Sequence, residues 1–111
     1  MSGGKASRRK GDRFERECVA LFQEHGIAAE RVPLSGAAGG SFSGDITIPV
    51  LGADQRLEAK IRRSGFKQIQ DWIAGNDAVV FRADRRESLI TIRLRVFAEL
   101  AIAADKKRGV A

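Results

Sequence analysis

Residues 45–61 read DITIPVLGADQRLEAKI and contain the clearest strand pattern of the chain. Apolar residues alternate with polar ones from Asp45 to Val50 and again from Arg56 to Ile61. Because side chains on a strand point alternately to opposite faces, each half predicts a strand with one buried face. The segment Leu51–Asp54 contains Gly52 and separates the two halves, which predicts a β-hairpin.

Helical segments flank the predicted hairpin. Upstream, residues 8–25 carry one apolar stripe at helical spacing, formed by Phe14, Cys18, Leu21 and Phe22, and Gly26 ends it. Glu15 lies at the border of this stripe. Downstream, residues 66–74 show the same spacing before Gly75. Residues 27–32, 78–81 and 89–94 predict further strands and residues 96–104 a closing helix, so the predicted order is α-β-β-β-α-β-β-α.

The chain of 111 residues suits one folded domain. We expect residues 1–7 to form a flexible basic arm, residues 8–105 the domain and residues 106–111 a basic C-terminal tail. Residues 33–44 are rich in Gly and Ser and predict a long loop, which in a compact domain is often functional. A disordered connector is the alternative interpretation.

Two carboxylates and an ammonium group are expected at the open end of the hairpin, away from its turn. Glu58 and Lys60 are two residues apart, so their side chains share a face of the strand. Antiparallel pairing brings Asp45 opposite this stretch. Two close carboxylates favour a divalent cation between them, and hard oxygen ligands suit Mg²⁺ or Mn²⁺. These residues indicate metal-assisted phosphodiester hydrolysis in which Lys60 orients water or neutralises developing charge. The alternative is a set of surface ion pairs.

The charge of the chain favours a polyanionic partner. The net charge is +6 and the sequence pI is about 10.2. Solvated basic ends and faces are the alternative explanation. The cations that we expect to grip DNA phosphates are Arg8, Arg9, Lys10, Arg31, Arg62, Arg63 and Lys67.

Several function classes are disfavoured by the sequence. The lone Cys18 lies in the apolar helical stripe, where it is expected to be a buried small side chain and not a nucleophile. His25 lies at a predicted helix end, and one cysteine and one histidine make a zinc site improbable. No apolar run approaches the roughly 20 residues that span a bilayer. The N-terminus lacks the apolar core of a secretory signal, so we expect a cytoplasmic protein without membrane contact.

Four short motifs resemble those of archaeal-type Holliday junction resolvases, within the PD-(D/E)XK nuclease superfamily. KGDRFER at residues 10–16 is similar to their Lys-Gly-x-x-x-Glu-Arg opening helix, and RVPLSG at residues 31–36 to their Arg-x-x-x-Ser-Gly segment. Asp45 and the Glu58-Ala59-Lys60 triplet match the superfamily signature in order and spacing. Gln68 and Trp72 are similar to the Gln-x-x-x-Tyr helix motif of some related nucleases, although a tryptophan here is more often a core residue.

The resemblance implies a fold and a set of site residues. The fold would be α/β and restriction-endonuclease-like, with a central mixed β-sheet of about five strands flanked by helices. Residues 8–105 would form the nuclease domain. The implied catalytic residues are Asp45, Glu58, Lys60, Glu15 and Ser35. The implied metal-site residues are Asp45, Glu58, Ala59 and Glu15, and Gln68 joins the DNA-binding set.

The resemblance also implies an activity. We expect a Mg²⁺-dependent endonuclease, which Mn²⁺ would also support, that resolves Holliday junctions in DNA recombination and repair. A four-way junction has two-fold symmetry, so a homodimer with two active sites is expected. Two alternatives stay open: a repair or restriction-like nuclease that acts on other DNA substrates, and a non-catalytic DNA-binding module that keeps the nuclease fold.

Overall fold

The computed structural model of the chain describes residues 3–32 and 45–107. Its elements follow the predicted order of three helices and five strands. They are α1 (Gly3–Glu24), β1 (Glu30–Arg31), β2 (Ile46–Val50), β3 (Ala53–Leu57), α2 (Lys67–Ile73), β4 (Ala78–Phe81), β5 (Leu89–Ile92) and α3 (Leu94–Lys107). Among these described elements, no helix is both long and apolar enough to cross a membrane.

The core lies between α1, α3 and the sheet that contains β2. The inward residues of β2, Ile46, Ile48 and Val50, are buried, which confirms the predicted alternation. Phe22 of α1 is fully buried and packs edge-to-face against Phe97 of α3, with ring centroids 6.2 Å apart. Apolar burial of this kind is the main force that holds helices against a sheet. The first sheet therefore packs against one helix from the N-terminal part of the chain and one from the C-terminal part.

The hairpin between β2 and β3 turns through two residues. Leu51 and Gly52 both have positive φ, at 57° and 80°, as in the tight turns whose twist matches paired strands. The ladder then pairs Val50 with Ala53 and continues to Ile46 with Leu57. The second strand was predicted at residues 56–61, which is wrong by three to four residues. A two-residue turn starts β3 earlier, and β3 ends at Leu57 because β2 begins at Ile46.

The predicted single mixed sheet is not found in the described residues. They form a three-stranded sheet in the order β1-β2-β3 and a separate two-stranded sheet of β4 and β5, and every pairing is antiparallel. A cavity of about 470 Å³ lies between the sheets, lined by Leu57 and Glu58 on one side and Thr91 and Ile92 on the other. The α/β class and the element order are confirmed, while the restriction-endonuclease-like sheet is not.

The helix ends also differ from the predicted ones. α1 begins at Gly3, five residues before the predicted start at residue 8. Lys5, Ala6, Arg8 and Arg9 favour helix over a coil. Gly26 ends the helix with a φ of 85°, and the amide of Ile27 donates to the carbonyl of Phe22 across that end. α3 continues to Lys107, past the predicted end at residue 104.

Candidate active site

Asp45 is fixed by three hydrogen bonds at the open end of the hairpin. Its backbone amide donates to the carbonyl of Leu57 at 2.6 Å, and its own carbonyl accepts from the amide of Val32 at 2.8 Å. Its Oδ2 accepts from the amide of Ala59 at 2.8 Å. The backbone of Asp45 is thus held from both neighbouring segments, while its half-buried carboxylate is tied to the Glu58–Lys60 stretch. This is the clustering that the hairpin predicts.

Glu58 and Lys60 follow directly after β3. Glu58 occupies the next position after Leu57, opposite Asp45 if the register is continued by one step. The ammonium of Lys60 lies 3.6 Å from Oε2 of Glu58, so the two side chains are neighbours on one side of the chain. Both side chains are more than half exposed, at 59% and 55%, and such a pair adds little stability. The charges therefore remain accessible to a ligand from solution.

The donor set at this end fits a hard divalent cation. Asp45 and Glu58 supply carboxylate oxygens, and Ala59, which has no side-chain donor, offers only its main-chain carbonyl. Mg²⁺ commonly binds to one or two carboxylates and completes its shell with water and phosphate oxygens. Residues 3–32 and 45–107 contain no group of three or more Asp, Glu, His or Cys placed to hold a metal. Asp45 and Glu58 are the two carboxylates at this end of the hairpin.

Glu15 faces a guanidinium. Arg31 of β1 donates from Nε to Oε1 of Glu15 at 3.1 Å, and its Nη2 lies 3.0 Å from the same oxygen as an ion pair. The same Nη2 donates to Oδ1 of Asp12 at 3.0 Å. Glu15 is largely buried, with 18% of its side chain exposed, as its place at the border of the apolar stripe predicts. The metal role expected for Glu15 stays a prediction, and so does the DNA role expected for Arg31.

The other predicted DNA-binding residues lie on the surface. Arg8, Arg9 and Lys10 are exposed on α1, while Arg62 and Arg63 are exposed in the segment after Lys60. Lys67 and Gln68 are exposed at the start of α2, where Lys67 forms an ion pair with Asp71 at 2.7 Å. Exposed basic residues therefore follow Glu58 and Lys60 within a few positions of the sequence.

An apolar cavity of about 500 Å³ adjoins the charged residues. Glu58 and Lys60 line it together with Cys18, Ile46 and Ile92. Cys18 is buried, which confirms its prediction as a small core side chain. Burial raises the pKa of its thiol, and the negative charges of Glu17 and Glu15 raise it further. Cys18 is therefore a neutral thiol at pH 7 and unsuited to act as a nucleophile.

Some predicted residues lie elsewhere, and two contacts were missed. Ser35 and the Gly-rich segment 33–44 lie outside the described residues. Trp72 is 47% exposed, so the expectation that it is a core residue is wrong.

Sequence reasoning missed Asp12, although its spacing of three from Glu15 places both on one helix face. It also missed Asp105 of α3, whose carboxylate accepts from the amide of Leu51 at 2.6 Å.

Comparison with known proteins identifies one family. The family model described as archaeal Holliday junction resolvase matches residues 6–70, which is more than half of the chain. The matched region runs from α1 into α2, so it contains Glu15, Arg31, Asp45, Glu58 and Lys60. No curated protein and no solved structure matches the chain significantly.

Proposed function

The chain belongs to the archaeal Holliday junction resolvase family, and from this premise we propose that it is a Mg²⁺-dependent endonuclease that cuts four-way DNA junctions. The observation that carries the proposal is the tie between Asp45 and the Glu58–Lys60 stretch through the amide of Ala59. Two carboxylates and an ammonium group at one exposed end are groups that metal-assisted phosphodiester hydrolysis can use.

Each group has a role that its chemistry defines. Asp45, Glu58 and the carbonyl of Ala59 would hold Mg²⁺, which when bound supplies Lewis-acid activation of water and of the scissile phosphate. Lys60 would stabilise the negative charge that develops on the phosphate oxygens, because its ammonium lies beside Glu58. Two backbone hydrogen bonds hold the main chain of Asp45, and the amide of Ala59 holds its carboxylate, so the first carboxylate is in place before DNA arrives.

DNA would be gripped through its backbone. In the sequence, the exposed cations of α1 precede Asp45 and Glu58, and those of the segment after Lys60 follow them. The net charge of +6 also favours binding to phosphates. Phosphate contacts carry no base sequence, so selectivity for a junction would come from its shape. Affinity should accordingly fall steeply as the salt concentration rises.

A cleavage assay on defined substrates tests the proposal. Synthetic four-way junction, flap and linear duplex DNAs would be incubated with the chain and Mg²⁺ or Mn²⁺, and the products separated on a denaturing gel. We expect the junction to be cut fastest. Asp45→Asn should abolish cutting but keep junction binding, while Asp54→Asn provides a matched control, since Asp54 is exposed on the same hairpin beside its turn.

The outcomes separate the rival functions. Equal or faster cutting of flaps or linear DNA would support a repair or restriction-like nuclease instead. Junction binding without cleavage in either metal would support a non-catalytic DNA-binding module. Calorimetry with Mn²⁺ makes the same distinction. A nuclease should bind Mn²⁺ and lose this binding in Asp45→Asn, whereas a non-catalytic DNA-binding module has no need to bind it.

We also propose that the active form is a homodimer. Support comes from apolar side chains exposed on the second sheet, where Val80 of β4 and Ile90 of β5 are direct cross-strand partners and are 69% and 61% exposed. Leu89, next to Ile90, is also 52% exposed, and contiguous exposed apolar surface is the kind that marks protein–protein contacts. Sedimentation analysis should give a dimer for the wild-type chain and a monomer for Val80→Lys. A monomeric wild-type chain that still cuts junctions would refute the dimer.

A further inference from the structure

The segment that follows the candidate active site exposes apolar and basic side chains together. Ile61, Phe66 and Trp72 are 41%, 37% and 47% exposed. Arg62 and Arg63 lie between the first two of them in the sequence and are exposed as well. In the described part of the chain, neither arginine forms an ion pair with a carboxylate. Both arginines therefore keep their charge for a polyanion.

Trp72 stands at the border of the inner face of α2. Ile69 and Ile73, four residues apart, are half-buried and line a cavity of about 390 Å³ with Thr91 of β5. Trp72 follows Ile69 by three residues, so it is the neighbour of this face but is not covered by it. Tryptophan is highly buried on average, because its large ring contributes much apolar area. An indole left this open indicates a partner outside the chain.

β5 connects α2 with the candidate active site. Thr91 and Ile92 line the cavity beside α2, and both also line the cavity of about 500 Å³ that includes Glu58 and Lys60. α2 thus packs onto the same strand that borders the Glu58–Lys60 stretch. One DNA molecule can therefore contact both the acidic pair and α2.

The combination of exposed groups identifies the chemistry of the ligand. Phosphates would satisfy the two arginines but would leave the indole in water. The face of a nucleic-acid base is flat and aromatic, and it stacks on a tryptophan whatever the base sequence. Inside a paired duplex this face is covered by the neighbouring base pairs, so a base must leave the stack to offer it. Cations beside an open aromatic ring therefore fit a single strand better than a duplex.

We propose that Trp72 stacks on an unpaired base of a DNA strand whose phosphates bind Arg62 and Arg63, an inference that rests on the proposed function. Branched DNA offers such bases at the branch point, where the stacking of base pairs is interrupted. Phosphate contacts carry no selectivity for the branch point, and the indole adds it. The arginines supply affinity for any strand.

Tryptophan fluorescence tests the stacking, because Trp72 is the single tryptophan and the chain has no tyrosine. An indole that stacks on a base loses much of its emission. Titration in a chelator of divalent cations keeps the DNA uncut. A short oligothymidine strand and a four-way junction should quench the emission, whereas a fully paired linear duplex should bind with little quenching. The anisotropy of labelled DNA measures binding in the same samples.

Variants separate the indole from the arginines. Trp72→Ala should weaken the binding of oligothymidine about tenfold, and Trp72→Phe, which keeps an aromatic face, should recover most of the affinity. Leu100→Ala is the matched control, since Leu100 is 59% exposed on α3 but has no ring, and it should bind as wild type. Arg62→Gln combined with Arg63→Gln should make the slope of log affinity against log salt shallower by about 1.4 and retain the quenching at saturation.

Three results would overturn the proposal. Equal quenching by the paired duplex would mean that the indole does not respond to the face of a base. Bright emission in the presence of oligothymidine, whether the strand is bound or not, would mean that Trp72 makes no such contact. Emission that changes with protein concentration in the absence of DNA would mean that a second copy of the chain covers the indole.

The proposed function and the stacking can fail separately. If the chain cuts no junction but oligothymidine quenches Trp72, the nuclease is refuted and the stacking stands. If the chain cuts the junction and the emission of Trp72 stays unchanged by every DNA, the stacking is refuted and the nuclease stands.

Discussion

The two ends of the β2–β3 hairpin are built differently. At the turn end, the left-handed Leu51 donates its amide to Asp105, a carboxylate that is only 7% exposed. At the open end, Asp45 is held by backbone amides, and the side chains of Glu58 and Lys60 point into solvent. The buried contact serves stability, whereas the exposed charges are available for chemistry. Substitutions at the two ends should therefore affect different properties.

The largest expected effect is at the open end. Glu58→Gln removes a charge proposed to hold Mg²⁺, so cleavage of a four-way junction should fall by at least about a hundredfold. Its side chain is 59% exposed, so the free energy of unfolding should change little. Single-turnover cleavage and urea denaturation measure the two properties. If Glu58→Gln lost activity only because it unfolds, the proposed difference between the open end and the turn end would be contradicted.

The next effect is at the turn end. Asp105→Ala removes the acceptor of the Leu51 amide from a partly buried hydrogen bond, which should lower the free energy of unfolding by about 1 kcal/mol. Cleavage at a temperature below the unfolding transition should persist, because Asp105 lies away from Asp45 along the hairpin. Thermal unfolding checks the first expectation and the junction assay the second. Asp54→Ala, exposed beside the same turn, is the control.

These contrasts mark what local sequence patterns can predict. The alternation of Ile46, Ile48 and Val50 predicted the buried face of β2, because period-two burial is a local property. The left-handed conformation of Leu51 was not predicted, since leucine seldom adopts it and its acceptor lies 54 residues away. The turn length, and with it the end of β3, was wrong for that reason.

The candidate site shows the same division. Hairpin pairing predicted that Asp45 lies beside the Glu58–Lys60 stretch, as the hydrogen bond from the Ala59 amide shows, whereas Glu58 and Lys60 are neighbours although both lie beyond the end of β3. The ion pairs of Arg31 join residues 16 and 19 positions apart, in different elements, and depend on how α1 packs against β1. Pairing between distant strands depends on packing in the same way, and the predicted mixed sheet is not confirmed in the described residues.

A smaller effect of opposite sign is expected at Leu51. Glycine adopts a φ of 57° without the steric strain of a side chain, so Leu51→Gly should raise the free energy of unfolding by up to about 1 kcal/mol. The Leu51 side chain is 48% exposed, so little buried apolar surface is lost. Chemical denaturation of this variant, alone and combined with Asp105→Ala, measures the strain. A destabilised Leu51→Gly would show that the leucine side chain contributes more than its backbone conformation costs.

The smallest effect is expected on α2, and it sharpens the interpretation of Glu58. Lys67 and Asp71 form an exposed pair at 2.7 Å, shorter than the 3.6 Å between Lys60 and Glu58. Asp71→Asn should change the free energy of unfolding by no more than about 0.5 kcal/mol and leave cleavage within about twofold of wild type. Both substitutions break one exposed lysine–carboxylate pair, so the loss of such a pair cannot by itself explain a hundredfold fall in Glu58→Gln. If Asp71→Asn also lost most of its cleavage, the effect would follow from the loss of any negative charge near the basic segment, and the special role of the open end would be refuted.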